Sequence, residues 1–202
     1  MDRSSNLHLV LVDAAWPRKD WRRLAFLVVV GSVLIALLAQ LEIPLQPVPI
    51  TGQTFGVLLV GALLGSRLGA VTVLTYLAWG AIGLPVFAGG NSGLARLVGP
   101  TGGYLVGFLG AAFLVGRLSE RGWDRRVLTT AVAMLLGTIL IYLPGIAWLS
   151  RFVGWDRVLE LGLTPFVIGD LLKVVLAALA LPIAWTLVGS EQNRMGRRNG
   201  SS

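Results

Sequence analysis

The sequence predicts an all-α membrane protein with six transmembrane helices, and three observations lead there. Of 202 residues, 55% are hydrophobic and 13% charged, with a mean hydropathy of +0.77. That is more apolar surface than a water-soluble domain of this size can hide. Charge-free runs at 24–41, 43–66, 68–95, 97–116 and 127–150 each reach the roughly 18–20 residues that cross a hydrocarbon core. A sixth run, 161–189, is broken only by Asp170 and Lys173. The third observation is charge placement. With both termini cytoplasmic, 13 of the 17 Lys and Arg residues fall inside, Arg96, Arg151 and Arg157 outside, and Lys173 within a span, as the positive-inside rule expects. The same placement leaves no basic surface interleaved with aromatics, so the net charge of +7 does not point to nucleic acid.

Residues 1–23 read as a cytoplasmic tail. Asp2, Asp13, Trp16 and Pro17 do not fit a secretory leader, and no A-x-A site follows the first run. Trp16 and Trp21 read as interfacial anchors. The single unit 24–189 then fills the chain up to a second cytoplasmic tail, 190–202.

After the first span, Pro44, Pro47 and Pro49 bar a regular helix until about Gly52. An external loop this rich in Ile, Leu and Val either folds over something or packs on the bundle. Two spans follow, turned around Gly65, Ser66 and Arg67, a connection short enough to make them antiparallel neighbours. The stretch "PVFAGGNSGLARLVGPTGGY" comes next. Its glycines, Gly89 and Gly90 among them, permit positive φ and close approach of backbone to a ligand, and Asn91 offers an amide. The same features suit an ordinary external turn. Gly103, Gly107 and Ala111 on the fourth span, and Ser32 with Ala36 on the first, are small residues at helix-packing spacing, which most often join helices of one chain.

The chemistry concentrates in "LTPFVIGDLLKVVLAALALPIAW". Thr164 and Pro165 read as N-cap and first helical position, which sets Asp170 about one and a half turns in, towards the external side. Asp170 and Lys173, three apart, share a helix face and can pair. A charge in hydrocarbon costs about 2.5–3.5 kcal/mol on insertion scales, and a buried pair is weak evidence for stability alone. The pair therefore marks a functional site, with simple stabilisation of the bundle as the alternative. Cysteine is absent and the one histidine, His8, lies in the tail, so thiol chemistry, His/Cys metal sites and a transmembrane histidine relay are excluded. No phosphate-binding loop is present. From the residues alone, a binding protein driven by partners fits better than an enzyme, and an autonomous intramembrane enzyme or channel using Asp170 and Lys173 is the alternative.

Several of these stretches meet a known family. Residues 52–116, with "IPLQPVPITGQTF" before them and "PFVIGDLLKVVLA" near the end, closely resemble the BioY family, the biotin-specific S components of energy-coupling factor (ECF) transporters. The run "GLPVFAGG…GPTGGYL" is long and specific, and the resemblance covers about 24–187. It implies a six-helix S-component bundle in a prokaryotic plasma membrane that binds biotin from outside. The partners implied are a membrane coupling subunit and two ATPase subunits; no enzyme activity and no cofactor are implied. The polar residues of the "GGNSG" loop and the "GDLLK" helix would contact biotin, which are Asn91, Asp170 and Lys173. Lys173 would either neutralise Asp170 or meet the ligand's carboxylate. Gln53 and Thr54 are further candidates, Gly89 and Gly90 would permit close approach, and 43–52 would be the lid. In S components a small-residue patch on the first helix docks the coupling subunit; here it would be Ser32 and Ala36, with Ser32 where alanine is usual.

Overall fold

Proline and glycine decide where the helices stop. The structure, a computed structural model, describes residues 9–17 and 20–199, with side chains as far as Gly189. Arg3, His8, Arg18, Lys19 and the side chains of Arg194, Arg197 and Arg198, on which part of the charge count rests, lie outside the described residues. A short helix α1 (Leu11–Ala15) precedes α2 (Trp21–Gln40), which is capped by Asp20 accepting the Arg23 N–H at 2.7 Å. The proline segment then forms two two-residue strands, β1 (Glu42–Ile43) and β2 (Ile50–Thr51), paired antiparallel with Glu42 opposite Thr51. Helix begins again at α3 (Gln53–Leu64) and, after Gly65 at φ +84°, continues as α4 (Ser66–Ala81).

The glycine-rich stretch holds a 3-10 turn at Ala88–Gly90 and the short α5 (Leu94–Val98) before α6 (Gly102–Ser119). A 3-10 turn at Trp123–Arg125 leads into α7 (Val127–Val153); α8 (Val158–Gly162) and a 3-10 turn at Thr164–Phe166 lead into α9 (Val167–Asn199). The α9 helix thus starts three residues after Thr164, and Asp170 sits in its first turn.

The hydrophobic runs fall on α2, α3, α4, α6, α7 and α9, but they overstate two of these helices. At 12 and 16 residues, α3 and α4 extend only about 18 and 24 Å. The flanking apolar residues belong to loops that cover the bundle instead. Among the described residues, four helical stretches are long and apolar enough to cross a membrane: Trp21–Gln40, Gly102–Ser119, Val127–Val153 and Val158–Gly189.

Packing centres on α6, which lies against α3, α4 and α7. Small residues set these distances. A Cβ on Gly61 would come within 2.5 Å of the Ala112 carbonyl of α6, and one on Gly107 within 2.8 Å of the Ile141 Cα of α7. The Gly103–Gly107 pair therefore joins α6 to α7 within the chain. Ser32 is also an internal residue: fully buried, it donates its Oγ hydrogen to the Thr72 carbonyl of α4 at 2.9 Å. In this structure Ser32 thus holds α2 to α4. Ala36 is half-buried and packs against the core.

At the end of α6 remote from Tyr104, polar groups hold the chain ends to the bundle. The described residues before α2 pack on the bundle: Val10 is buried, Arg125 donates to the Leu9 carbonyl at 3.3 Å and Arg23 pairs with Asp13 at 3.0 Å. Glu120 accepts from both the backbone N–H and the hydroxyl of Ser66, at 2.8 and 2.7 Å. Burial pushes the Glu120 carboxyl up, but the Ser66 and Arg117 hydrogen bonds outweigh it and hold the group below its usual value. Asp124, 1% exposed, accepts from the Trp185 indole N–H at 2.7 Å through one oxygen and has no hydrogen-bond partner for the other among the described residues. Burial dominates there, only partly offset by Trp185, and the carboxyl is pushed up to about 6. The α9 backbone stays helical past residue 189, to Asn199.

Candidate functional site

Asp170 and Lys173 meet at 2.8 Å on one face of α9, and both line the same cavity. The pair is not isolated. Asp170, 6% exposed, accepts through Oδ1 from the Thr54 hydroxyl of α3 at 3.1 Å as well as from Lys173, and through Oδ2 from the Tyr142 hydroxyl of α7. The Lys173 ammonium donates to the Thr51 carbonyl at 2.7 Å, to Thr54 Oγ1 at 2.8 Å and to Asp170. An ammonium carries three N–H groups, so Lys173 has none left. Three elements thus stabilise one buried carboxylate, which offsets its desolvation.

Aromatic rings wall this polar floor. Tyr104, Tyr142 and Phe166 form a mutual cluster with centroids 6.1–6.5 Å apart, and the Tyr104 hydroxyl donates to the Gly162 carbonyl at 2.7 Å. On the other side stands Phe87, edge-on to Tyr76 at 5.6 Å. Gln53 lies behind that wall as well as on the lining: its amide donates to the Tyr76 hydroxyl at 2.6 Å and accepts from Thr51 at 2.9 Å.

Two loops cover the cavity. Val48 and Pro49 of the proline segment line it, so this segment does fold over something. Phe87 and Ala88 contribute from the glycine loop. That loop is stapled to the end of α2 by Gln40, whose amide donates to the Phe87 carbonyl at 3.2 Å and accepts from the Gly90 N–H at 2.9 Å.

The sequence-predicted residues divide accordingly. Gln53, Thr54, Asp170 and Lys173 are together on the lining. Asn91 and the two glycines are not on it. Asn91 bridges to Phe87 and donates its side-chain amide to the Ala88 carbonyl at 2.6 Å, holding its own loop. Gly89 and Gly90 adopt φ of +65° and +68°, which L side chains rarely adopt. At Gly89 a Cβ would also meet the Glu42 carboxylate at 2.8 Å. Sequence reasoning missed Tyr142, Tyr104 and Phe166. A tyrosine or phenylalanine in an apolar run carries no signal of its own, and only the pairing across 28 residues reveals Tyr142.

The sequence model of the BioY family matches residues 12–190. The chain belongs to the BioY family. Among similar proteins, the probable biotin transporter BioY of Pyrococcus horikoshii is 43% identical over 164 residues, 81% of this chain and 95% of the relative. The biotin transporter BioY of Thermotoga maritima is 44% identical over 153 residues, 73% of this chain and 87% of the relative. In three dimensions the chain is similar to the crystal structure of an S-component for biotin from an ECF-type ABC transporter, with a TM-score of 0.67 and 28% identity, covering 84% of this chain and 95% of the other. BioY relatives of this kind are transporter components, not enzymes, and this BioY-family chain is a multi-pass membrane protein.

Proposed function

We propose that this chain is the biotin-binding subunit of an ECF-type vitamin uptake transporter. Its six helices would cross a prokaryotic plasma membrane with both termini in the cytoplasm, residues 24–189 forming the binding domain between tails 1–23 and 190–202. A membrane coupling subunit and two ATPase subunits would supply the energy. The observation that carries the reading is the buried Asp170, fixed by Thr54, Lys173 and Tyr142 at the floor of an aromatic-walled cavity.

The chemistry fits. A carboxylate offers about four lone-pair sites, and three at Asp170 are taken, which leaves one acceptor for a ureido N–H. The aromatic walls suit the bicyclic ring beside it. In this reading Asn91 takes the remaining ureido edge once its amide leaves the Ala88 carbonyl, and Gly89 and Gly90 give the loop the backbone freedom to present it. Segment 43–52 serves as the lid. The transporter identities of the relatives favour this reading over an autonomous enzyme or channel built on the Asp170–Lys173 pair.

Isothermal titration of biotin into the detergent-purified chain tests it, alongside Asn91→Ala, Asp170→Asn and Lys173→Ala. The expected outcome is one-to-one binding by the wild type, weakened in all three variants. Folded wild-type protein that ignores biotin would overturn the assignment. Binding indifferent to the substitutions would move the site elsewhere.

A further inference from the structure

Three charged side chains line the cavity, Arg96, Asp170 and Lys173, and their partners leave one over. Lys173 is fully spent on Thr51, Thr54 and Asp170. It neutralises Asp170 and has no N–H to offer a second anion. The other hydrogen-bonding side chains on the lining are engaged as well: Tyr142 with Asp170, Tyr104 with Gly162, Gln53 with Thr51 and Tyr76.

Arg96 differs from all of these. It sits on α5, exposed at the mouth while Asp170 is buried at the floor. Its backbone carbonyl accepts from Thr101 at 3.2 Å, but among the described residues no hydrogen bond or ion pair engages its guanidinium. The lining therefore carries a net positive charge, located on one planar, five-donor group suited to bidentate capture of a carboxylate. The two ends of the cavity have opposite requirements. The inner end presents an acceptor to N–H donors, and the outer end presents a cation.

We propose that Arg96 is the specificity residue for the ligand's carboxylate, so that a ligand with a urea at one end and a carboxylate at the other is read at both. This rests on the biotin reading above, and it assigns the carboxylate to Arg96 and not to Lys173. The side chain's exposure suits an early contact, because a cation at the mouth attracts the anionic end before the ring reaches the floor.

The test compares biotin with its primary carboxamide, which keeps the ring and chain and loses the charge, by titration into detergent-purified wild type, Arg96→Gln, Arg96→Lys and Lys173→Met. The wild type is expected to prefer biotin to the amide by roughly tenfold to a hundredfold, the scale of a charge-assisted hydrogen-bonded pair. Arg96→Gln should lose that preference, with biotin weakened and the amide within about twofold of wild type. The Arg96→Lys variant should recover part of it, and Lys173→Met should weaken both ligands alike. Equal weakening of both ligands in Arg96→Gln, an unchanged preference there, or a preference abolished instead in Lys173→Met would overturn the proposal while leaving the biotin reading intact. Wild-type protein that binds neither ligand would overturn the biotin reading itself.

Discussion

The two ends of α6 bury a carboxylate each, and they treat it in opposite ways. At the cavity end Asp170 accepts from a lysine, a threonine and a tyrosine. At the far end Asp124 accepts from one indole, and its second oxygen has no hydrogen-bond partner among the described residues. Burial is similar at both, 6% and 1% exposed. Two similarly buried carboxylates thus differ in the number and charge of the donors around them. At Asp124, where the donors are few, burial raises the carboxyl and makes it respond to protons.

Removing the lysine from the cavity end should break the contrast most sharply. Lys173→Met leaves Asp170 buried without its counter-charge, and a loss of about 3–5 kcal/mol in stability is expected. The double variant Asp170→Asn/Lys173→Met should recover much of that loss. Thermal melts in detergent of the two singles and the double measure the coupling. Additive effects would mean the pair does not act as a unit.

At the far end the sign is worked from the raised carboxyl of Asp124, about 6 in the folded chain against roughly 4 unfolded. The folded state holds a proton that the unfolded state releases. This contribution to stability is present below about pH 4 and is lost as pH rises through 6, by about 2–3 kcal/mol in all. Asp124→Asn should flatten that part of the profile and raise stability at pH 7. A melting profile between pH 4.5 and 7.5 that Asp124→Asn leaves unchanged would show that Asp124 does not titrate there.

A smaller effect is expected at Gln40. Gln40→Ala removes two neutral hydrogen bonds that hold the glycine loop, each worth about 1 kcal/mol net and less where exposed. Biotin should dissociate roughly threefold to tenfold faster, with little change in melting temperature. Glu120→Gln should be milder still. The lowered carboxyl of Glu120 contributes stability above its unfolded value near pH 4.3, lost as pH falls through the folded value. The substitution should cost about 1 kcal/mol at neutral pH and less in acid, measured by the same melts.

Much of the fold and part of the site were legible in the sequence, for reasons visible in particular residues. Asp170 and Lys173 stood out because charge in an apolar run is expensive, and Gln53 and Thr54 because they open a helix just after a proline loop. Prolines 44, 47 and 49 placed the start of α3 within a residue of where it lies. What hydropathy misread were loops that are apolar because they cover something: Val48, Pro49 and Phe87 extended the apparent spans beyond the true ends of α3 and α4. Asn91 was readable as a polar residue but not as one bonded to its own loop. The half-partnered Asp124 was invisible, since its burial depends on Trp185, 61 residues away.

The end of α2 touches both covers of the cavity. Gln40 holds the glycine loop at Phe87 and Gly90, while the adjacent Leu41 carbonyl accepts the Gly52 N–H at the close of the proline segment. One helix tip is thus the common anchor for two loops that reach the cavity from different parts of the chain. Any shift of that tip would be felt at both loops together, because neither contact can move without the other.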